Sequence, residues 1–213
     1  MQTTRIIAIR HGETAWNVDT RIQGHLDIPL NDTGLWQARQ VGQALADEPV
    51  AAIYSSDLQR AYATAQAVAQ ATGAPLTPER GLRERGFGDF QGRTFQQIER
   101  ESPEQALRWR KRDPHYTPEG GESLVTLRDR IERTVTALAQ QHLGEQVVMV
   151  AHGGVLDVLY RLATRQDIQA PRTWQLANAA INRLLWTPDG LTLIGWADTQ
   201  HLDQIVVRDE NHA

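Results

Sequence analysis

The sequence contains no cysteine among its 213 residues. Disulfide bonds, thiolate metal sites and a cysteine nucleophile are therefore excluded. Long hydrophobic runs are also missing, and the apolar run at residues 6–9 is far too short for a signal-peptide core or a membrane span. The net charge of −4, with acids and bases mixed along the chain, argues against a nucleic-acid-binding protein that relies on bulk positive charge. These absences predict a cytoplasmic protein without a membrane or nucleic-acid partner.

The length and composition are those of an ordinary globular domain. Hydrophobic residues make up 40% of the chain and charged residues 23%, with no internal repeat or low-complexity tract. A chain of this length can bury one sizeable core. We therefore expect a single domain spanning residues 1–213.

Three short apolar segments are typical of buried strands, at residues 4–9, 51–54 and 146–151. Each precedes a helical pattern, and this alternation predicts a layered α/β domain with a mostly parallel sheet. A later pair of segments, at 184–186 and 191–196, flanks the turn sequence Thr-Pro-Asp-Gly. We expect this pair to add an antiparallel hairpin at the edge of the sheet.

Capping residues and apolar spacing predict the helices. Ser56 with Gln59 forms a capping-box pattern for a helix that ends at Gly73, and Ser123 opens another amphipathic helix. Asn31 is the expected N-cap of an earlier helix. The apolar stripe of that earlier helix is Leu35, Ala38, Val41, Gly42 and Leu45.

Two of the predicted strands end in a histidine that is followed by glycine. His11, preceded by Arg10, follows the first strand, and His152, followed by Gly153, ends another. Ligands bind at the carboxyl ends of strands in an open parallel sheet, and glycines let backbone N–H groups approach an anion. The helix after the strand at residues 51–54 brings Arg60 to the same rim. The pattern predicts a phosphate pocket, since guanidinium groups bridge phosphoryl oxygens well.

The segment Arg10-His11-Gly12-Glu13-Thr14, directly after a hydrophobic strand, resembles the signature of the histidine phosphatase superfamily. The resemblance is to the branch that contains cofactor-dependent phosphoglycerate mutases and short broad-specificity phosphatases. It continues through Trp16-Asn17, Arg21-Ile22-Gln23-Gly24, Asp27-Ile28-Pro29-Leu30, Thr33-Gly34, Ser55-Ser56-Asp57-Leu58-Gln59-Arg60-Ala61, Leu82-Arg83-Glu84, Gly120-Gly121-Glu122-Ser123 and Val150-Ala151-His152-Gly153-Gly154.

This resemblance implies a phosphoglycerate mutase-like fold, a three-layer α/β/α sandwich, and a covalent mechanism. His11 would be the nucleophile that forms a phosphohistidine, and Arg10, Arg60 and His152 would complete the phosphate pocket. No metal and no cofactor are expected, because the two arginines and the second histidine would supply the positive charge.

The resemblance also implies roles for residues on the surrounding loops. Asn17 and Gln23 match positions that donate to phosphate oxygens, and Gly24 and Gly153 would bring the backbone close to the anion. Glu84 stands where related phosphatases place the acid that serves the leaving group.

Some residues near these motifs also have a simpler interpretation. Glu84 lies between Arg83 and Arg85, so it could be only an ion-pair partner on the surface. Glu13 is expected to support the first loop by hydrogen bonds. Histidines without paired metal-ligand spacing are assigned to surface or packing positions, and these are His25, His115, His142 and His201.

Residues 86–121, which contain several glycines, prolines and charges, are predicted to form a helical insertion covering the active site. The densest basic run of the chain, Arg108, Arg110, Lys111 and Arg112 around Trp109, lies within this insertion. A solvated helix face, partly neutralised by nearby glutamates, is the default interpretation. The alternative is that one or two of these side chains reach over the pocket and select acidic substrates.

Three functions fit these motifs. A phosphatase that hydrolyses small phosphorylated metabolites is favoured, because the stretch between Glu84 and Gly120 is shorter than in typical mutases of the superfamily. The segment from Phe87 to Gly92 also resembles the shorter phosphatases. The alternatives are a phosphoglycerate mutase, which would need a bisphosphoglycerate primer, and a non-catalytic phosphate-binding protein. A homodimer through an exposed sheet edge stays open.

Overall fold

The structure, a computed structural model, describes residues 2–205. Within this range the strands of a six-stranded sheet are β1 Thr4–Arg10, β2 Ala52–Ser55, β3 Leu76–Pro78, β4 Gln146–Ala151, β5 Ile181–Thr187 and β6 Gly190–Asp198. The α-helices are α1 Ala15–Val18, α2 Asp32–Leu45, α3 Gln59–Thr72, α4 Phe95–Glu101, α5 Pro103–Arg110, α6 Leu124–Gln140 and α7 Gly153–Thr164.

The strand order β3-β2-β4-β1-β5-β6 places the first and fourth strands side by side at the centre. β1, β2, β3 and β4 are parallel, whereas β5 and β6 add an antiparallel pair next to β1. The register aligns Arg10 with Ala151 at the ends of β1 and β4. The residues that follow, His11 and His152, therefore leave the sheet together at its carboxyl edge.

Helices cover both faces of the sheet. Alternate residues of β1 point to opposite faces, as the period of a strand requires. Ile6 belongs to a buried cluster with residues of α6 and α7, whereas Ile7 belongs to one with residues of α2 and α3. All six residues of β4 are buried, as expected of a central parallel strand. The predicted three-layer α/β/α sandwich, with a mostly parallel sheet and an antiparallel edge, is confirmed.

The predicted helices are present, with two corrections to their details. Gly73 ends α3 in the left-handed conformation, with φ of 72°. Asn31 caps α2 by accepting a hydrogen bond from the Gly34 N–H, but Leu35 is 43% exposed, so its place in the apolar stripe was wrong. Gly34 is buried in its stead because the α2 backbone packs against the loop at Glu13.

The predicted capping box of α3 is also wrong. The helix begins at Gln59, and the residue before it makes no side-chain cap. Asp27, from a distant loop, accepts a hydrogen bond from the Gln59 backbone N–H at 2.7 Å. The hydroxyl of Ser56 is instead 2.8 Å from the ring of His152.

The segment at residues 86–121 contains α4, α5 and a short 3-10 turn, Gly88–Phe90. It carries a small hydrophobic cluster of its own, built from Phe90, Ile98, Ala106 and Tyr116. Trp109 packs against this cluster and stacks on Phe87, with ring centroids 5.0 Å apart. The cluster holds the insertion as a packed unit.

Candidate active site

His11 lies at the carboxyl end of β1 and is only 3% exposed. Its backbone N–H donates to the Ala151 carbonyl at 3.0 Å, which extends the β1–β4 pairing by one residue. Its Nδ1 is 2.6 Å from the carbonyl oxygen of Gly12. Because a carbonyl can only accept, Nδ1 carries the hydrogen, and the lone pair of the neutral ring is on Nε2.

Burial, with the added repulsion of Arg10 and Arg60, lowers the pKa of His11 well below its usual range. The charged form of a buried imidazole loses its hydration, and two nearby cations oppose the uptake of a further proton. His11 is therefore neutral at physiological pH, which is the protonation state that a nucleophilic imidazole requires.

His152 follows β4 and stands beside His11, with ring centroids 5.2 Å apart. It is fully buried, and its Nε2 pairs with the Ser56 hydroxyl, which fixes the orientation of the ring. Its Nδ1 is buried and has no hydrogen-bond partner within residues 2–205. Burial, followed by the charge of Arg60, lowers the pKa of His152 well below its usual range. The sequence placed both imidazoles at one edge, and the structure brings them together.

Arg60 comes from the first turn of α3 and is 1% exposed. Its Nη1 donates to the Leu26 carbonyl at 2.9 Å and its Nη2 to the Gly24 carbonyl at 2.8 Å, whereas its Nε is buried without a partner in the described chain. Burial lowers the pKa of Arg60 to about 10, so the guanidinium stays charged. Gly24 thus contacts Arg60 through its carbonyl, at a φ of 54° that favours glycine.

Arg10 completes a group of two cations and two imidazoles. Its Nη1 donates to the carbonyl of Leu176, and its Nε is buried without a partner among the described residues. Gly153, the first residue of α7, lies directly against this guanidinium: a Cβ on it would be 3.5 Å from Nε of Arg10. The charges of Arg10 and Arg60 each contribute to lowering the pKa of both histidines, so the four groups share one electrostatic environment.

Glu84 faces the N-terminus of α7 from the other side. Its carboxylate accepts hydrogen bonds from the Arg85 N–H at 2.7 Å and from the Gly154 N–H at 3.1 Å. A Cβ at position 154 would overlap Glu84 Oε1, so any residue larger than glycine there would push the carboxylate aside. The arginines that flank Glu84 in the sequence bond elsewhere: Arg83 binds Asp57 through two hydrogen bonds, and Arg85 donates to backbone carbonyls. The interpretation of Glu84 as a simple surface ion-pair partner therefore fails for the described residues.

Asn17 lies in the short helix α1 after β1, and Gln23 lies on the loop that follows this helix. The Oδ1 of Asn17 accepts a hydrogen bond from the Thr14 N–H at 3.0 Å, in the capping box of α1. Gln23 is 8% exposed, and its Oε1 is buried without a partner within residues 2–205. Glu13 supports the loop as expected, since its carboxylate accepts from the Asn31 side chain at 2.8 Å.

Three residues at this site were missed by the sequence interpretation. Ser56 orients His152, although its spacing suggested a helix cap. Asn178 donates to the His11 carbonyl at 2.9 Å, but nothing in its local sequence marks it. His25 is exposed, in line with its assignment to a surface or packing position, but its contact with the site was not foreseen: its Nε2 lies 2.8 Å from the Glu84 carbonyl oxygen. All three act across long sequence separations that local patterns do not encode.

The basic run at residues 108–112 shows both predicted behaviours: some of its side chains lie on a solvated face, and one reaches toward the pocket. Arg108 pairs with Asp113 and Arg110 with Glu99, both on the solvent side. Arg112 alone turns inward, where it donates to Asp157 at 2.8 Å and lines a cavity of about 560 Å³ beside Arg10 and Gly153. One arginine of the four basic residues thus reaches the site.

Residues 2–205 contain no cluster of three or more histidine and acidic side chains arranged to hold a metal ion. In the same range, no helix combines the length and apolar character that crossing a membrane requires.

Comparisons with known proteins agree with this geometry. The family model described as histidine phosphatase superfamily (branch 1) matches residues 6–199, so the chain belongs to that superfamily. The expected family and enzyme class are confirmed.

The names of individual relatives are of two kinds, mutase-like and phosphatase. The chain is 39% identical over 204 residues to phosphoglycerate mutase-like protein 4 of Arabidopsis thaliana, covering 93% of this chain and 87% of that protein. It is 36% identical over 208 residues to a metal-independent phosphoserine phosphatase of the same plant, covering 96% and 85%. A mycobacterial glucosyl-3-phosphoglycerate phosphatase, solved in complex with VO3, superposes with a TM-score of 0.83 at 33% identity, covering 92% of this chain and 99% of that one.

Proposed function

We propose that this protein is a metal-independent phosphomonoesterase that hydrolyses small phosphorylated metabolites through a phosphohistidine on His11. One observation carries the proposal: a neutral imidazole, whose Nε2 makes no hydrogen bond with the described residues, lies beside a second imidazole and two buried guanidinium groups. A tetrahedral phosphoryl group needs a nucleophile in line and positive charge around its oxygens, and this arrangement supplies both.

Binding of the phosphoryl group would satisfy atoms that are otherwise unpaired. The Nε atoms of Arg10 and Arg60 and the Nδ1 atom of His152 are buried without partners in the described chain. The two arginine Nε atoms can donate to phosphoryl oxygens. His152 can do the same when its neutral ring carries the hydrogen on Nδ1 and its Nε2 accepts from the Ser56 hydroxyl. Donors fixed in advance at such positions typically contribute about 10²–10³ in rate.

In the first step, Nε2 of His11 attacks phosphorus and forms an N–P bond as the bond to the ester oxygen breaks. Glu84, which lies by the N-terminus of α7, gives its proton to the departing oxygen, so the alcohol leaves neutral. A general acid of this kind contributes roughly 10²–10⁴ in rate.

In the second step, a water attacks phosphorus while the Glu84 carboxylate takes a proton from it. The N–P bond breaks, inorganic phosphate is released, and His11 and Glu84 return to their starting states. Arg10 and Arg60 hold the phosphoryl oxygens throughout, so the site's own residues supply the charge that a metal ion provides elsewhere.

The names of relatives support hydrolysis and also keep a second candidate. A phosphoserine phosphatase and a glucosyl-3-phosphoglycerate phosphatase are among the similar proteins, and both act on phosphate monoesters of small molecules. A phosphoglycerate mutase-like protein is also among them. Release of inorganic phosphate from 3-phosphoglycerate separates hydrolysis from isomerisation, which would instead need a bisphosphorylated primer.

The direct test is the covalent intermediate. The protein, mixed with a ³²P-labelled aryl phosphate in the presence of EDTA and quenched in alkali, should retain label that acid removes. His11→Ala should lose the label, whereas His115→Ala, on an exposed loop, should keep it. Unchanged labelling of His11→Ala, or binding of phosphate without turnover of any monoester, would contradict the proposal.

Two further expectations belong with this function. We propose a cytoplasmic location, where small phosphorylated metabolites are found, and dimerisation through the exposed sheet edge at β6. Light scattering at several protein concentrations measures the oligomeric state, and a monomer at all of them would refute dimerisation.

A further inference from the structure

Glu84, the proposed acid, lies in a segment without regular secondary structure, between the short 3-10 turns Arg80–Leu82 and Gly88–Phe90. The carbonyl groups of Gly81, Arg83 and Glu84 accept from no backbone N–H of the described residues. Backbone bonds therefore do not fix this stretch, although a carboxylate that serves a departing oxygen must be held in place. Side chains from elsewhere in the fold take over that task.

Arg130, on α6, supplies the partners that these carbonyls lack. Its Nη1 donates to the carbonyls of Gly81 at 2.8 Å and Arg83 at 2.9 Å, and its Nη2 donates to that of Glu84 at 3.3 Å. Its Nε and Nη2 also donate to the Glu122 carboxylate, at 2.8 Å and 2.7 Å. All five N–H groups of this guanidinium are therefore used, and three of them bind the segment that carries the acid.

Two further contacts hold the chain on either side of the acid. A Cβ on Gly81 would overlap the hydroxyl of Thr134, so a larger residue there would push the segment away from α6. On the other side, the Glu122 N–H donates to the Gly86 carbonyl at 2.7 Å, and its carboxylate accepts from the Gly86 N–H at 3.1 Å. The backbone at Glu84 is thus held from both directions along the chain.

His25 reaches the same carbonyl from the loop after α1. Its Nε2 lies 2.8 Å from the Glu84 carbonyl oxygen and carries the hydrogen, because a carbonyl can only accept. The residues on either side of it, Gly24 and Leu26, accept from the Arg60 guanidinium at 2.8 Å and 2.9 Å. His25 is therefore fixed next to an arginine of the phosphate pocket and bonds in turn to the backbone of the proposed acid.

We propose that Arg130 is a positioning residue that holds the backbone of Glu84 so that its carboxylate meets the departing oxygen, with His25 as a second, weaker constraint at the exposed rim. The inference rests on the function proposed above, because it requires Glu84 to protonate the leaving group. Removing either side chain should weaken the acid step and leave the attack by His11 unchanged. A displacement of about 1 Å at a reacting group can cost about 10²-fold in rate.

The test compares two monoesters that differ in their need for an acid. Glycerol 3-phosphate leaves as an alkoxide that must be protonated, whereas p-nitrophenyl phosphate leaves as a stable phenolate. The measured quantity is kcat/KM for each ester, because it reports the steps up to release of the leaving group, before water attacks.

Arg130→Met should lower kcat/KM for glycerol 3-phosphate roughly 10- to 100-fold, and for p-nitrophenyl phosphate less than about threefold. Arg130→Lys keeps the charge without the planar fork and should give an intermediate loss. Arg128→Met is the matched control: it removes an equal charge from α6, where Arg128 pairs with the adjacent Asp129, and should change neither value.

A double-variant cycle shows whether the effect passes through Glu84. In Glu84→Gln the alkyl ester has already lost its acid, so adding Arg130→Met should lower its kcat/KM less than about twofold further. His25→Ala should show the same selectivity with a loss of about three- to tenfold, and His25→Gln, which keeps a donor of similar reach, should restore most of it. Thermal unfolding checks that each variant folds; if Arg130→Met does not fold, the two His25 variants decide.

Equal losses for the two esters in the folded variants, or a full further loss in the Glu84→Gln background, would overturn the inference and leave these contacts with a role in stability alone. In either case the aryl phosphate would still form the labelled adduct on His11, so this failure is distinct from that of the proposed function. Absence of the adduct in the unmodified protein would remove both.

Discussion

The two buried neutral histidines predict a specific loss of stability in mild acid. The pKa values of His11 and His152 lie well below 6.5 in the folded protein, whereas the unfolded chain titrates near 6.5. The unfolded state therefore binds more protons as the pH falls below that value, and folding becomes less favourable. Stability rises again as the pH increases through this window.

The magnitude follows from the protonation of the unfolded chain alone. Lowering the pH from 7.0 to 5.5 stabilises an unfolded histidine by roughly 1 kcal/mol, so the pair destabilises the fold by about 2–3 kcal/mol. The expected effect is a difference in how the free energy of unfolding depends on pH. The comparison is between the unmodified protein and the double variant His11→Gln/His152→Gln. Subtracting the two curves removes the contribution of all other titrating groups.

Urea unfolding in a phosphate-free buffer at both pH values measures this difference. Between the two pH values, the free energy of unfolding of the double variant should fall by about 2–3 kcal/mol less than that of the unmodified protein. His115→Gln, at an exposed histidine, should lose as much as the unmodified protein. Equal pH dependence in the double variant and the unmodified protein would refute the assignment of both imidazoles as neutral and buried.

Three further outcomes test the chemistry of the site. Glu84→Gln should lower kcat for alkyl phosphates about 10²–10⁴-fold and much less for p-nitrophenyl phosphate, whose leaving group needs no proton; an equal loss for both would contradict the acid role. Gly154→Ala should show the same selective loss, because its Cβ displaces the Glu84 carboxylate, and full activity on alkyl esters would contradict that geometry. Arg60→Met should lower kcat about 10²–10³-fold with any leaving group, and a selective loss would argue against phosphoryl contact.

The meeting of the two histidines was predictable from the sequence because it depends on strand order and direction. Two parallel strands that end in His-Gly bring their histidines to one edge of the sheet, and the histidines meet if the strands are neighbours. The pairing of Arg10 with Ala151 shows that they are. The layers were equally accessible, since each of the three predicted parallel strands is followed by a helical pattern. These features depend on local patterns and on general rules of α/β topology.

The errors arose where a distant residue took over a local role. Ser56 has the spacing of an N-cap, but Asp27 accepts the Gln59 N–H from another loop. The serine hydroxyl instead accepts the Leu58 N–H at 3.3 Å and pairs with His152. Leu35 has helical spacing, yet the neighbouring Gly34 faces the core because the loop after β1 packs closely there.

The basic run shows the same limit of local patterns. A helical face predicts that its arginines share one direction, but α5 ends at Arg110, and Arg112 has a φ of 52°. This left-handed residue turns the chain out of the helix and sends the Arg112 side chain toward Asp157. The backbone conformation of a single residue therefore separates its side chain from its neighbours, and sequence spacing does not reveal this.

The contact between Nδ1 of His11 and the adjacent Gly12 carbonyl determines which chemical form of the intermediate can exist. A histidine can carry phosphorus on either ring nitrogen, and the two products are distinct isomers. With one nitrogen held against a main-chain oxygen, only the τ isomer, phosphorylated on Nε2, can form without breaking the loop. The phosphorylated protein would therefore carry a single regioisomer, which ³¹P NMR spectroscopy can distinguish from the other.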